Sequence, residues 1–254
     1  MARGFESNHV RPTMPSTPIP SESTRDSLTP RADVLFVHIP KTAGISLYSA
    51  MAKSFGPQHS LRYPRSTEEF KQQFLRLSDE ELHRYRLMSG HFNLPFWLRR
   101  DLGGRVIVAL IREPVERALS TYRYIRSWTG HPRHALLGKA SIADYVDYYV
   151  AETSRHNGQC MLLCGSGDFQ AAKEMAQKQI DLLGSVEQIA RLTNALSDRL
   201  GVPLVLGREN RSVVEHPKRN DLDAALIAKL QSCNVEDCKL WSYVIESGLV
   251  RGHD

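Results

Sequence analysis

The sequence predicts an α/β fold of three layers, with a mostly parallel central sheet between two layers of helices. Three observations carry that expectation. Val34-Leu-Phe-Val37 is an apolar run of strand length that breaks at Pro40 and gives way to the helix-like Leu47-Tyr-Ser-Ala-Met-Ala52. Gly104-Arg-Val-Ile-Val-Ala-Leu-Ile111, rich in β-branched residues, ends in the same manner, with Arg112-Glu-Pro114 leading into a long helical stretch. Strand-like and helix-like segments then alternate along the chain, the pattern that right-handed crossovers turn into a parallel sheet. A chain of 254 residues, 41% of them hydrophobic, has room for one such domain.

Residues 1–32 hold Pro, Ser, Thr and Arg without a hydrophobic period and are expected to form a disordered tail, with a single domain over 33–254. A strand at 34–37 leads to a helix at 45–55. Residues 66–87 read as helical, with Phe70, Phe74, Leu75 and Leu82 on one face and Ser66-Thr-Glu-Glu69 as a capping start. A short strand at 88–92 ends in Gly90-His91, and 93–100 is an aromatic loop or short helix. The strand at 105–111 precedes a helix at 114–127, where Pro114 suits a first turn that needs no N–H. A Gly-, Pro- and His-containing loop at 128–140 follows. Helices are expected at 141–153 and 169–179, a strand at 181–186, a helix at 187–200 and a short strand at 203–206. A polar loop at 207–212 and helices within 222–246 close the chain.

The net charge of +5 suits an anionic ligand. There is no long basic run and no recognisable nucleic-acid module. No segment approaches the ~18 apolar residues of a membrane span, and the first residues lack the apolar core of a secretory signal, so a cytoplasmic protein is expected. Four cysteines form two local pairs, Cys160/Cys164 and Cys233/Cys238, without zinc spacing. Reduced thiols are expected, with a 233–238 bridge left open.

The loop after the first strand carries the chemistry. A strand, a tight turn with Gly and hydroxyl residues, and a helix N-terminus make an anion site, because the first N–H groups of a helix lack internal partners and the helix dipole adds positive charge. Lys41 at its lip supplies a point charge. The loop is not a Walker A motif, since its lysine stands three positions before its glycine, Gly44, and not after a second one. Arg112 leaves the carboxyl end of the second strand and Ser120 sits about two turns into the next helix. Ligands of open parallel sheets bind beyond that edge.

Two segments in this order resemble the cofactor motifs of the sulfotransferases. His38-Ile-Pro-Lys-Thr-Ala-Gly-Ile-Ser46 is similar to their 5′-phosphosulfate-binding loop. Arg112-Glu-Pro-Val-Glu-Arg-Ala-Leu-Ser120 is similar to their 3′-phosphate-binding segment. The wording is closest to the carbohydrate branch, which contains uronyl 2-O-sulfotransferases, and to its bacterial relatives. Met88-Ser-Gly-His-Phe92 resembles the segment that brings an acceptor-side histidine, and Asn157-Gly-Gln159 resembles a later polar segment. Ile45 and Glu113 depart from the commoner small or hydroxyl residue and aspartate.

The resemblance implies a P-loop-like three-layer domain that transfers a sulfuryl group from 3′-phosphoadenosine 5′-phosphosulfate (PAPS) to an acceptor hydroxyl, on a carbohydrate in the branch resembled. Lys41 would stabilise the leaving phosphate, and Thr42, Ala43, Gly44, Ile45 and Ser46 would bind the 5′-phosphate. Arg112 and Ser120 would hold the 3′-phosphate, the arginine through its bidentate fork. His91 is the candidate general base, since an imidazole near its ordinary pKa of ~6.5 accepts a proton near neutral pH. Glu68 or Glu69 is a substitute for it. Asn157, Gln159, Arg208 and Asn210 are candidate substrate contacts, and no metal is called for. Two alternatives stay open: a PAPS- or PAP-binding module without catalysis, and a P-loop-type small-molecule kinase.

Overall fold

Every residue of Val34–Val37 and of Val106–Ile111 is buried, as the central strands of a parallel sheet covered on both faces must be. The protein is described here by a computed structural model over residues 30–207 and 219–252. Its strands are β1 (Val34–Val37), β2 (Ser60–Tyr63), β3 (Leu87–Gly90), β4 (Val106–Ile111) and β5 (Leu182–Ser185). They form one sheet in the order β2-β3-β1-β4-β5, and every pairing is parallel. The first seven helices are α1 (Gly44–Phe55), α2 (Glu68–Arg76), α3 (Asp79–Arg84), α4 (Leu94–Trp97), α5 (Pro114–Ser127), α6 (His134–Leu137) and α7 (Ile142–Ala151). After them come α8 (Gly158–Cys164), α9 (Phe169–Gln179), α10 (Ile189–Leu200), α11 (Ala224–Ser232) and α12 (Val235–Ser247). The α/β fold expected from the sequence is present.

The two faces of the sheet build separate cores. Val34, Phe36, Val108 and Leu110 pack with Leu47 and Met51 of α1 and Leu192 and Leu196 of α10. Leu35, Val37, Ala109 and Ile111 pack with Phe74, Trp97, Leu163, Ala176 and Leu240 on the other side. A third cluster joins Leu119 and Tyr122 of α5 to Tyr145 of α7 and Leu230 of α11 beyond the carboxyl edge of the sheet.

Several elements differ from the sequence-based expectation. The helical stretch at 66–87 is two helices, because Ser78 opens the second with a reciprocal capping box to Glu81. The edge strand β2 and the short helix α8 were not anticipated, and α6 lies inside the expected loop at 128–140. The expected strand at 203–206 is absent, since 203–207 has no regular structure. The outer edge of β5 is taken at Leu183, which exchanges both backbone hydrogen bonds, each 3.0 Å, with Val250. All four cysteines are free. At the start, Pro30 and Arg31 are already tied in: the Arg86 guanidinium donates to the Pro30 carbonyl at 2.7 Å, and the Arg31 N–H to that of Leu200 at 2.8 Å.

One buried carboxylate organises the ends of α8 and α12. Asp237, fully buried, accepts the N–H groups of Gln159 at 3.0 Å and Cys160 at 2.9 Å, with the Arg117 guanidinium at 3.5 Å. In return Asn157 Oδ1 accepts the N–H groups of Glu236 at 3.0 Å and Asp237 at 3.2 Å. Removing the carboxylate leaves a guanidinium and two amides without their partner. Asp237→Ala is therefore expected to lower the urea-unfolding free energy by about 3 kcal/mol. Asp147→Ala, which breaks the solvent-exposed pair with Lys229, should leave the midpoint nearly unchanged.

Candidate active site

The site is built where β1, β3 and β4 end. Val37 stands level with Gly90 of β3 and Ala109 of β4, and the His38 N–H extends the ladder by donating to the Gly90 carbonyl at 3.0 Å. The chain then turns sharply. The Thr42 hydroxyl, fully buried, donates to the Ile39 carbonyl at 2.9 Å. Lys41 (φ 71°) and Ala43 (φ 57°) take left-handed conformations that cost a non-glycine residue of order 1–3 kcal/mol each and persist only where the surroundings enforce them. Gly44 opens α1 against the His38 ring, which occupies the place a Cβ would need. The N-cap residue Ala43 offers no side-chain acceptor, so the first amides of α1 are left to a ligand or to water. Ile45 projects outward, and Ser46 is half-buried.

Two histidines stand side by side at this edge. His38 stacks on Phe36 at 5.3 Å and meets the ring of His91 at 4.6 Å. Burial, then His91, Arg62 and Lys41, lower the pKa of His38 to about 3. Burial, then Arg62, lower that of His91 to about 4. Both rings are neutral at neutral pH. The Gly90-His91 step needs glycine, because a Cβ at 90 would lie 2.9 Å from Tyr63 Cβ and 3.1 Å from the Trp97 ring.

Lys41 and Arg112 meet across the β1/β4 gap. The Arg112 guanidinium reaches the Lys41 carbonyl at 3.5 Å and the Glu116 carboxylate at 3.3 Å, which also holds Arg123 at 3.5 Å. Lys41 Nζ lies 3.8 Å above the ring of Tyr124. Burial, then Arg112, lower the pKa of Lys41 to about 8, leaving it largely charged at neutral pH. Glu116, Ser120 and Tyr124 are spaced four residues apart and so share one face of α5. Arg112 contacts one end of that face and Lys41 the other, which places the half-buried Ser120 between them.

The structure thus brings together Lys41, the turn at 42–46, His91, Arg112 and Ser120. It does not bring in every expected residue. Gln159 is fully buried and its amide pairs with both backbone groups of Arg112 at 2.9 Å, so it holds the arginine's backbone. Asn157 spends its side-chain oxygen on the first amides of α12. Thr42 has its hydroxyl turned inward, which leaves its backbone alone for an anion. Glu68 and Glu69 are exposed on α2 and bond Gln72 and Gln73. Arg208 and Asn210 lie outside the described residues.

Sequence reasoning missed Arg62 and Glu116, of which Glu116 was within reach of it, four residues before Ser120. A depression of about 670 Å³ between α9, α11 and α12, lined by Phe169, Val235, Cys238 and Tyr243, lies apart from this cationic edge.

A parallel α/β sheet with a strained, lysine-bearing turn at the carboxyl end of its central strand has the build of an anion-handling α/β protein. A family model described as "Sulfotransferase family" matches residues 27–243, and the chain belongs to that family. It is accordingly a transferase of the sulfotransferase class. No curated protein matches the chain. Among the described residues no helix is long and apolar enough to cross a membrane.

The two depressed histidines make a prediction about acid stability. Below pH ~6.5 the unfolded chain binds protons at these positions that the folded chain does not, so stability falls as the pH drops from about 6.5 towards about 4. His91→Gln should flatten that slope in urea titrations across this range, with little change at pH 7. An unaltered slope would mean that His91 titrates normally in the folded protein.

Proposed function

We propose that the chain transfers a sulfuryl group from PAPS to an acceptor hydroxyl, with a carbohydrate as the favoured acceptor. The observation that carries this is the pairing of two cations across the β1/β4 gap, Lys41 and Arg112, around an uncapped helix N-terminus. Among the described residues Lys41 has no carboxylate partner, only the face of Tyr124. A helix terminus and a lysine after β1, with an arginine after the neighbouring β4, fit a ligand with two phosphates, one at each end of the α5 face.

PAPS supplies an activated sulfuryl group on its 5′-phosphate. The amides of Gly44, Ile45 and Ser46, with the Ser46 hydroxyl, bind that phosphate. Lys41 moves from the Tyr124 ring to neutralise the charge that builds on the leaving phosphate oxygen. Arg112 and Ser120 hold the 3′-phosphate, with Gln159 fixing the backbone from which the arginine projects. His91, neutral at working pH, takes the proton of the acceptor hydroxyl as the new S–O bond forms. Its low pKa in the free protein makes it a weak base, and an anion bound at this edge raises it.

The test is thermal stabilisation by adenosine 3′,5′-bisphosphate against ADP and AMP. The bisphosphate alone should stabilise the wild type strongly, and Arg112→Ala should abolish the preference. Lys41→Ala is expected to slow transfer by about 10²–10³-fold. His91→Ala should slow it by about 10²–10⁴-fold while keeping the bisphosphate response. Equal stabilisation by ADP, or none by any nucleotide, would remove the basis for PAPS as donor.

A further inference from the structure

The carboxyl end of α5 leaves three rings at the surface, of which the reaction as described uses only Tyr124, as the seat of Lys41 in the free protein. Tyr124 and Trp128 are 40% and 37% exposed, although Leu119, Tyr122 and Ile125 of the same helix are buried in a core cluster. Their ring centroids lie 5.4 Å apart with the planes tilted by 33°. The His131 ring stands edge-on to both, 5.5 Å from Tyr124 and 5.6 Å from Trp128. Single exposed apolar residues are ordinary, but three rings in mutual contact make a patch.

The trio is firmly supported. The Trp128 N–H closes α5 on the Tyr124 carbonyl at 3.1 Å, and the His131 N–H returns to the Trp128 carbonyl at 3.0 Å. Gly130 lets the indole fold back over the turn, since a Cβ there would lie 2.8 Å from the indole Nε1. His131 Nδ1 accepts the Arg133 N–H at 3.1 Å, and Arg133 Nε donates to the Tyr148 hydroxyl at 2.6 Å. With Nδ1 an acceptor, the neutral imidazole carries its proton on Nε2. Burial, then Arg133, Arg155, Lys41 and His134, hold the pKa of His131 below the usual imidazole value. Lys41 acts on His131 and on His38 alike, so its ammonium is within electrostatic reach of both the trio and the histidine pair.

Tyr124 and Trp128 are too close to admit another ring between them, so they offer a platform and not a clamp. A pyranose suits such a surface. Its C–H face lies on the rings, while its hydroxyls stay at the rim with water and a donor such as His131 Nε2–H. A phenol, apolar on both faces, gains most from an enclosed slot, which an open platform does not provide. We propose that Tyr124, Trp128 and His131 bind a pyranose ring of the acceptor by stacking, beside the sulfuryl group that Lys41 attends. This rests on the function proposed above, in which the donor draws Lys41 off Tyr124 and so frees that ring for the sugar. Trp128 and His131 are then specificity-determining residues, and the recognition needs no charge on the sugar.

The test uses the full chain, with and without adenosine 3′,5′-bisphosphate, and methyl β-D-glucopyranoside as an uncharged probe. Binding is read by magnetisation transfer from the protein to the C–H protons of the sugar. With the bisphosphate present, the wild type should give a saturable signal. Trp128→Ala should bind the pyranoside about tenfold more weakly, the loss of one ring stack, and Trp128→Phe should keep part of the affinity. Both variants should keep the thermal response to the bisphosphate. No transfer in the wild type, equal affinity in Trp128→Ala, or displacement of the pyranoside by phenol at a lower concentration overturns the proposal. A weakened bisphosphate response in Trp128→Ala would give the platform to the donor's adenine, which also overturns it. A protein that ignores the bisphosphate but binds the pyranoside through Trp128 would strike at the donor assignment and leave the platform standing.

Discussion

The chain leaves β1 with the ring of His38 turned under the loop it is about to form, and Gly44 rests directly on that ring. Any side chain at 44 would lift α1 away from the sheet. With glycine there, the helix begins tight against the strand edge and its first amides face outward. His38 cannot yield, because Phe36 stacks on one side and His91 crowds the other. The left-handed Lys41 and Ala43 are the backbone consequence of this close approach. Lys41 is thereby aimed back over α5, where Tyr124 receives its ammonium. The second half of the site has its own chain of supports. Asp237 fixes the start of α8, α8 carries Gln159, and Gln159 fixes the backbone of Arg112.

What these supports hold in place is electrostatically uncomfortable. Burial, then Arg112, disfavour the charged form of Lys41; at Arg112 burial does the same, Glu116 offsets part of it and Arg123 adds to it. Arg62 adds a third positive charge beside two histidines kept neutral by burial. Such crowding of one sign is a cost in the free protein that an anion relieves. The fold meets that cost away from the edge, in the apolar faces of the five-stranded sheet.

Much of this was legible in the sequence. β4 and α5 could be read nearly to the residue, because an unbroken apolar run of β-branched residues ends where Pro114 opens a helix. The turn after β1 was legible for the same reason, a strand broken by residues that only a turn or cap uses. β2 was not, since Ser60-Leu-Arg-Tyr63 alternates over only four residues, and its pairing with β3 supplies what the local pattern lacks. Arg62 was hidden with it. α8 owes its start to Asp237, 78 residues further along, which no local signal could announce. Gln159 and Asn157 were the right kind of residue in the right neighbourhood, but long-range capping bonds set where their side chains point. The strand expected at 203–206 had the composition without a free edge to join at Leu183.

Under the proposed function the β1 turn and the start of α5 form one site for a ligand with two phosphates, and a crystal structure with adenosine 3′,5′-bisphosphate is the decisive measurement. The 5′-phosphate should lie on the amides of Gly44, Ile45 and Ser46 beside Lys41, and the 3′-phosphate on Arg112 and Ser120, with Lys41 drawn off Tyr124. A bisphosphate seated elsewhere, or one that leaves Arg112 paired only with Glu116, would contradict it.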